Sequence, residues 1–193
     1  MNNIMLDLET MGKGSNAAIV SIGAVFFNPL TGELGEQFYE RIWLESAAKY
    51  GELDASTVVW WLGQSDEARA EINHDQSLSL PNALSAFSEF IEKNVPLFSA
   101  TRVWGNGCTF DNVIIANAYK QLKLQKPWSY AGDMDVRTIV ELGRKLLNFD
   151  PKKDMPFKGE KHNALADAIH QAKYVSAIYQ KLAEATHREV EAA

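Results

Sequence analysis

Cysteine is nearly absent from this chain of 193 residues, where Cys108 stands alone. A single thiol rules out a disulfide framework and a cysteine-rich zinc site. It fits a reducing compartment, with Cys108 itself read as a small buried hydrophobe. Long apolar runs are also missing. No stretch approaches the roughly 20 residues of a membrane-spanning helix, and the N-terminus lacks the charged-then-apolar layout of a secretory signal, so a cytoplasmic protein is expected. Cations are in the minority: 19 Lys and Arg against 25 Asp and Glu leave a formal charge of −6. That balance argues against a protein that coats nucleic acid through a broad basic face. It leaves room for an enzyme acting on nucleic acid, because carboxylates that hold divalent cations present positive charge to a phosphate. Internal repeats, low-complexity tracts and dividing linkers are absent, and one domain spanning residues 1–193 is expected.

What is present begins at Asp7-Leu8-Glu9-Thr10-Met11, directly after an apolar run. On a strand, side chains alternate between faces, so Asp7 and Glu9 share one face. Two adjacent carboxylates repel each other unless a cation lies between them, so the pair is either half of a hard-metal site or part of a solvated strand face. Residues 3–8, 17–27 and 37–44 read as three strands joined by short turns, which suggests an antiparallel meander. Helical patterns follow at 56–62, 65–72 and 80–94, then a short strand at 102–105 and a helix at 111–122. A last short strand is expected near Tyr130, with Asp135 capping a helix to about residue 147 and a long helix over 163–191 closing the chain. The order of elements predicts an α/β fold with a mixed sheet flanked by helices.

Two further segments carry candidate chemistry. Residues Trp104 to Asn112 run from a strand through a glycine-rich turn into a helix, placing Asp111 near the helix N-terminus at a sheet end where ligands commonly bind. Taken alone, Asp111 reads as ordinary first-turn chemistry. In His162-Asn163-Ala164-Leu165-Ala166-Asp167, five residues on a regular helix would turn His162 roughly 140° away from Asp167. If Asn163 caps the helix, His162 lies in the preceding loop and is free to swing over Asp167. The histidines at 74, 170 and 187 read as exposed. From Arg144 to Lys161 the chain is locally basic, and by itself this reads as a solvated loop.

Together the three segments resemble a known pattern. The DEDDh branch of the DnaQ-like 3′-5′ exonucleases, within the ribonuclease H-like fold, carries Asp-x-Glu-Thr on its first strand, a second Asp mid-chain and a closing His-x-Ala-x-x-Asp. The ordered set of Asp7-Leu8-Glu9-Thr10, Asp111 and His162 to Asp167 is far more specific than any one motif. Within that superfamily the chain looks most like small phage and prophage exonucleases, of the exodeoxyribonuclease VIII-like or mycobacterial-exoribonuclease-like kinds. Residues 7–12, Ser21-Ile22-Gly23-Ala24, Trp60-Trp61 and Asp133-Met134-Asp135 carry this closer likeness.

The resemblance implies a five-stranded mixed sheet, a three-strand antiparallel meander plus parallel strands, and metal-dependent removal of nucleotides from single-stranded 3′ ends. It implies two divalent cations, Mg²⁺ or Mn²⁺, held by Asp7, Glu9, Asp111 and Asp167, with His162 as general base. Oxygen-only ligands suit such hard cations, and imidazole suits proton transfer near neutral pH. The backbone at Thr10 and Met11 would meet the terminal nucleotide, with Trp60, Trp61 and Phe110 as stacking candidates. The basic run at Lys152 and Lys153 would steer the phosphate backbone. Asp133 and Asp135 read as turn and cap chemistry. DNA is favoured over RNA on resemblance alone, and the resemblance allows a homodimer, since several relatives pair to complete a groove, although no patch in the sequence marks one. Two rivals remain open: a catalytically silent nucleic-acid-binding module on the same fold, and a small-molecule phosphoesterase with the same metal chemistry.

Overall fold

A computed structural model describes residues 1–72 and 74–191. Five strands form one sheet in the order β3-β2-β1-β4-β5. Strands β1 (Asn3–Thr10), β2 (Ile19–Phe27) and β3 (Leu34–Arg41) make the antiparallel meander, and β4 (Arg102–Gly105) and β5 (Asp133–Asp135) add in parallel beside β1.

Alternation along β1 assigns its two faces. Ile4, Leu6 and Leu8 join a core that also holds Leu84, Phe87 and Ile91 of helix α4 (Leu80–Asn94). Met5 points the other way, packing with Ala168, Ala172 and Val175 of the long helix α8 (Ala164–Glu191). Asp7 and Glu9 continue the Met5 face toward the start of α8, so they lie beneath a helix and not on a solvated face. Helix α5 (Asp111–Gln121) follows β4 and carries Asp111 as its first residue.

Two glycines bring these helix starts close to the sheet. Gly23 pairs with Asp7 across the ladder, and a Cβ there would lie 2.1 Å from the carbonyl carbon of Ala164. Only a bare backbone allows α8 to begin against the strand. At Gly105 a Cβ would meet Asn112 Oδ1 at 2.3 Å. Gly23→Ala is expected to push the first turn of α8 outward, with an overpacking cost of about 1–3 kcal/mol. Thermal unfolding would show the loss, and an unchanged Tm would show that α8 shifts without penalty.

Elsewhere the structure differs in detail. Helix α1 (Leu44–Tyr50) was not foreseen, because its seven residues merge in sequence with the apolar tail of β3. The remaining short helices are α2 (Ala55–Leu62), α3 (Asp66–Ala70), α6 (Val136–Leu147) and α7 (Pro151–Asp154), the last falling within the basic segment read as a loop. Tyr130 lies in an exposed 3₁₀ turn, and the last strand starts three residues later, reaching only as far as its partner Val103–Gly105 allows. Asp135 caps α6, accepting the Thr138 N–H at 2.9 Å. Asp133 does no turn chemistry. It lies on β5, where its carboxylate accepts from Asn112 Nδ2 at 3.0 Å and Trp128 Nε1 at 2.7 Å and pairs with Lys126. No helix among the described residues is long and apolar enough to cross a membrane.

Candidate active site

Three carboxylates meet at the Met5 face of β1, where α8 begins. One oxygen each of Asp7, Glu9 and Asp167 lie within 4.8 Å of one another, and all three residues are half-buried. Asp111 joins them from the side. It is buried, and its Oδ1 accepts the Leu8 N–H at 3.2 Å, tying the start of α5 to β1 between Asp7 and Glu9.

Asn163 begins α8 as a cap, its Oδ1 accepting the Ala166 N–H at 3.0 Å and its carbonyl the Asp167 N–H. That leaves His162 in the loop, in the left-handed region at φ 65°. This turn brings its own N–H to Asp167 Oδ2 at 3.2 Å. The imidazole stands edge-on to Trp60, with ring centroids 4.9 Å apart, and lies 6.3 Å from Trp61.

The two tryptophans divide their work. Trp61 is 2% exposed and donates Nε1–H to the Thr10 carbonyl at 3.0 Å, so it cannot offer a face to a base; it is a strut between α2 and the end of β1. Trp60 is 44% exposed. With Phe110, Thr10, Leu8, Glu9, Gly12, Lys13, Ser56 and Thr57 it lines a cavity of about 380 Å³ beside the carboxylates. Met11 lies outside that lining. It is buried, its N–H donates to Ala18, and its carbonyl accepts from Asp54, so neither backbone group is free for a ligand.

The electrostatics are those of buried anions whose crowding the nearby cations only partly offset. Burial, then Asp111, Glu9 and Asp167, push the Asp7 carboxyl well above its ordinary value, eased by Gln171. Burial, then Asp167 and Asp111, push Glu9 to about 8. Burial raises Asp111 to about 7, against hydrogen bonds from the Leu8 and Asn106 backbone. Burial also raises Asp167, opposed by His162. A divalent cation would reverse these shifts.

Residues outside the sequence-based set complete the surroundings. Gln171, one turn beyond Asp167, donates Nε2–H to Asp7 Oδ1 at 2.7 Å, and its buried Oε1 has no partner among the described residues. The Tyr174 hydroxyl is likewise buried without a partner among them, and burial, then Asp7 and Asp167, raise its pKa. Sequence reading missed both, although their spacing of four and seven residues from Asp167 on one helix was the signal that could have found them. Glu71 stands near Glu9 and is held by Arg41 (2.7 and 2.9 Å) and the Tyr39 hydroxyl. Nothing local marked it, because its partners come from β3. Four crowded carboxylates and two orphaned buried polar groups fit a hard divalent cation.

A consequence follows for the metal-free protein. Glu9 and Asp111 have folded pKa values raised above their unfolded ones, so between about pH 4 and 8 the native state holds more protons and stability falls as pH rises. The stability linked to these groups is fully present near pH 4 and lost through pH 7 to 8. The metal-free Tm is therefore expected to drop from pH 5.5 to 8.5. Adding Mg²⁺ should raise Tm far more at pH 8 than at pH 5.5, where protons compete for the ligands. Equal Mg²⁺-induced shifts at both pH values, by differential scanning fluorimetry, would contradict this electrostatic picture.

Comparison with known proteins agrees with the geometry. Residues 2–179 match the family model described as the 3′-5′ exoribonuclease Rv2179c-like domain. The chain belongs to this family. It is 27% identical over 164 residues to an exodeoxyribonuclease of Enterobacteria phage T4, covering 73% of this chain and 71% of the relative. The nuclease domain of 3′hExo, a DEDDh family member solved with rAMP, has the same fold with a TM-score of 0.63 at 13% identity, over 93% of this chain and 92% of that one. E. coli exonuclease I, solved with a dT13 oligonucleotide, superposes with a TM-score of 0.61 at 14% identity, over 96% of this chain but 42% of the other. The protein is a 3′-5′ exonuclease of the DEDDh superfamily with a ribonuclease H-like fold.

Proposed function

We propose that residues 1–193 act as one cytoplasmic exonuclease domain that removes nucleotides from single-stranded DNA 3′ ends, releasing nucleoside 5′-monophosphates. The observation that carries this reading is the meeting of Asp7, Glu9 and Asp167 within 4.8 Å, with Asp111 alongside, next to a cavity that exposes Trp60. The terminal nucleoside enters that cavity, its base against Trp60 and Phe110 and its sugar near Thr10. Stacking on an aromatic face contributes about 1–3 kcal/mol per base and tolerates any base.

Asp7, Glu9, Asp111 and Asp167 would hold two divalent cations, Mg²⁺ or Mn²⁺, which when bound would supply a water of lowered pKa and neutralise charge on the phosphate and the departing 3′ oxygen. His162 takes the proton from that water. Its ring is steadied by Trp60 and its backbone by Asp167, which leaves the imidazole at the mouth of the site. Gln171 keeps the Asp7 carboxylate oriented.

The T4 relative, an exodeoxyribonuclease, supports DNA as the polymer. A second reading, RNA, is favoured by the family description itself. Incubating 5′-labelled DNA and RNA oligonucleotides with Mg²⁺ or Mn²⁺ separates them, and a ladder shortening from the 3′ end on DNA is expected. Shortening of RNA alone would replace the DNA reading. Binding of either strand with no shortening would favour a silent module.

A further inference from the structure

The carboxylates have a second flank, away from the Trp60 cavity, and cations gather there. Arg137, in the first turn of α6, lays its guanidinium on the bare backbone of Gly107. A Cβ at Gly107 would lie 2.9–3.1 Å from Arg137 Cζ, Nε and Nη2. Lys152 of α7 reaches the same turn, its Nζ 3.3 Å from Asn106 Oδ1. Both therefore converge on the segment that delivers Asp111. One helical turn beyond Asp167, a cavity of about 350 Å³ opens between Met155, Pro156, Lys158, Ile169, His170 and Lys173. His170, expected to be simply exposed, is instead packed edge-on between Phe157 and Tyr174; the side chain of His187 lies outside the described residues.

Among the described residues, most of the cations on this flank form no ion pair. Arg144 is paired with Asp150 at 2.8 Å. Among the described residues, Arg137, Lys152, Lys158 and Lys173 have no carboxylate within 4.0 Å. Partial burial, then Arg137 and Arg144, hold the Lys152 ammonium below its ordinary pKa, the mirror image of the carboxylate cluster beside it. In a chain of net charge −6 such a gathering of like charges calls for an anion.

We propose that this flank binds the substrate strand upstream of the scissile bond, with Arg137 and Lys152 on its phosphates and a nucleotide unit in the cavity between Met155 and Lys173. The inference rests on the exonuclease reading. The strand enters from the Arg137 side, crosses the carboxylates and ends against Trp60. Apolar walls from Met155, Pro156 and Ile169 suit a base, the cationic rim suits phosphate, and the volume falls in the range of small-ligand pockets.

The test measures binding apart from hydrolysis. In an Asp7→Asn background, where the strand is not consumed, fluorescence anisotropy with Mg²⁺ compares a labelled decamer with a dinucleotide, with and without Arg137→Gln/Lys152→Gln. Both DNA and RNA decamers are used. The double substitution is expected to weaken decamer binding about 10-fold more than dinucleotide binding. It should also flatten the salt slope by about 1.4, near 0.7 for each lost phosphate contact on a single strand. An unchanged slope, or equal losses on both ligands, would overturn the proposal. A second arm with the enzyme intact at Asp7 follows cleavage of the p-nitrophenyl ester of a nucleoside 5′-monophosphate, which has no upstream phosphates. Failure of the ester and all oligonucleotides to react would sink the exonuclease reading, while the anisotropy result still decides the strand path.

Discussion

Asp7→Asn is expected to abolish hydrolysis, by at least about 10³-fold, while making the metal-free protein more stable. The two effects share a cause. Asp7 sits among Glu9, Asp111 and Asp167, and its carboxyl is driven well above the ordinary range by burial and by those neighbours. A neutral amide of the same shape removes one charge from the crowd and keeps an acceptor for Gln171 Nε2. On the proposed mechanism it also removes one of the four metal ligands, which metal-assisted catalysis cannot spare. Sites that trade stability for function commonly return about 0.5–2 kcal/mol when neutralised. In a chain of this size that corresponds to a Tm increase of roughly 1–8 °C. Nuclease assays and thermal melts in EDTA at pH 8 give both readings. A variant that is inactive but less stable would mean that Asp7 is held chiefly by its packing and hydrogen bonds, and the repulsion argument would fail.

His162→Asn is the second large effect, with turnover lowered by about 10²-fold or more and metal binding little changed. Asparagine is a better probe than alanine at this position. His162 has φ 65°, a conformation that asparagine tolerates well and alanine does not. The substitution therefore removes the imidazole while leaving the backbone N–H on Asp167 Oδ2 in place. Mg²⁺-dependent stabilisation in a melt should match the unaltered protein. Full turnover in His162→Asn would take the imidazole out of the mechanism. Lost turnover together with lost Mg²⁺ stabilisation would point to displacement of Asp167 instead.

Several parts of the site are legible in the sequence. Period-two alternation placed Asp7 and Glu9 on one face of a strand, and the structure keeps them there. Cap chemistry at Asn163 released His162 from the helix, which allowed it to fold back over Asp167. The Asp135 cap was equally local. Other parts left no local trace. Trp60 and Trp61 are adjacent on one short helix and look equivalent in sequence. Their division into an exposed face and a buried strut depends on where the Thr10 carbonyl lies, fifty residues away. Glu71 is held by Tyr39 and Arg41 from a strand far from it in sequence. Arg137 lies over the Asp111 turn only because Gly107 leaves room beneath it.

The sequence by itself determined the chemistry on offer: oxygen ligands, one imidazole ahead of a helix, and the strand face from which two carboxylates project. Tertiary structure alone decided that positions 7, 9, 111 and 167 share one small volume. Side-chain direction is a local property of strand and helix, readable from spacing. Convergence is not local, because it requires α8 to start against β2 and α5 against β4. The residues that permit these approaches, Gly23 and Gly105, act through side chains they do not have. The raised pKa values of Asp7, Glu9 and Asp111 follow first from burial in that packed volume, with the neighbouring carboxylates adding to it for Asp7 and Glu9, since the same residues in water would titrate as ordinary acids.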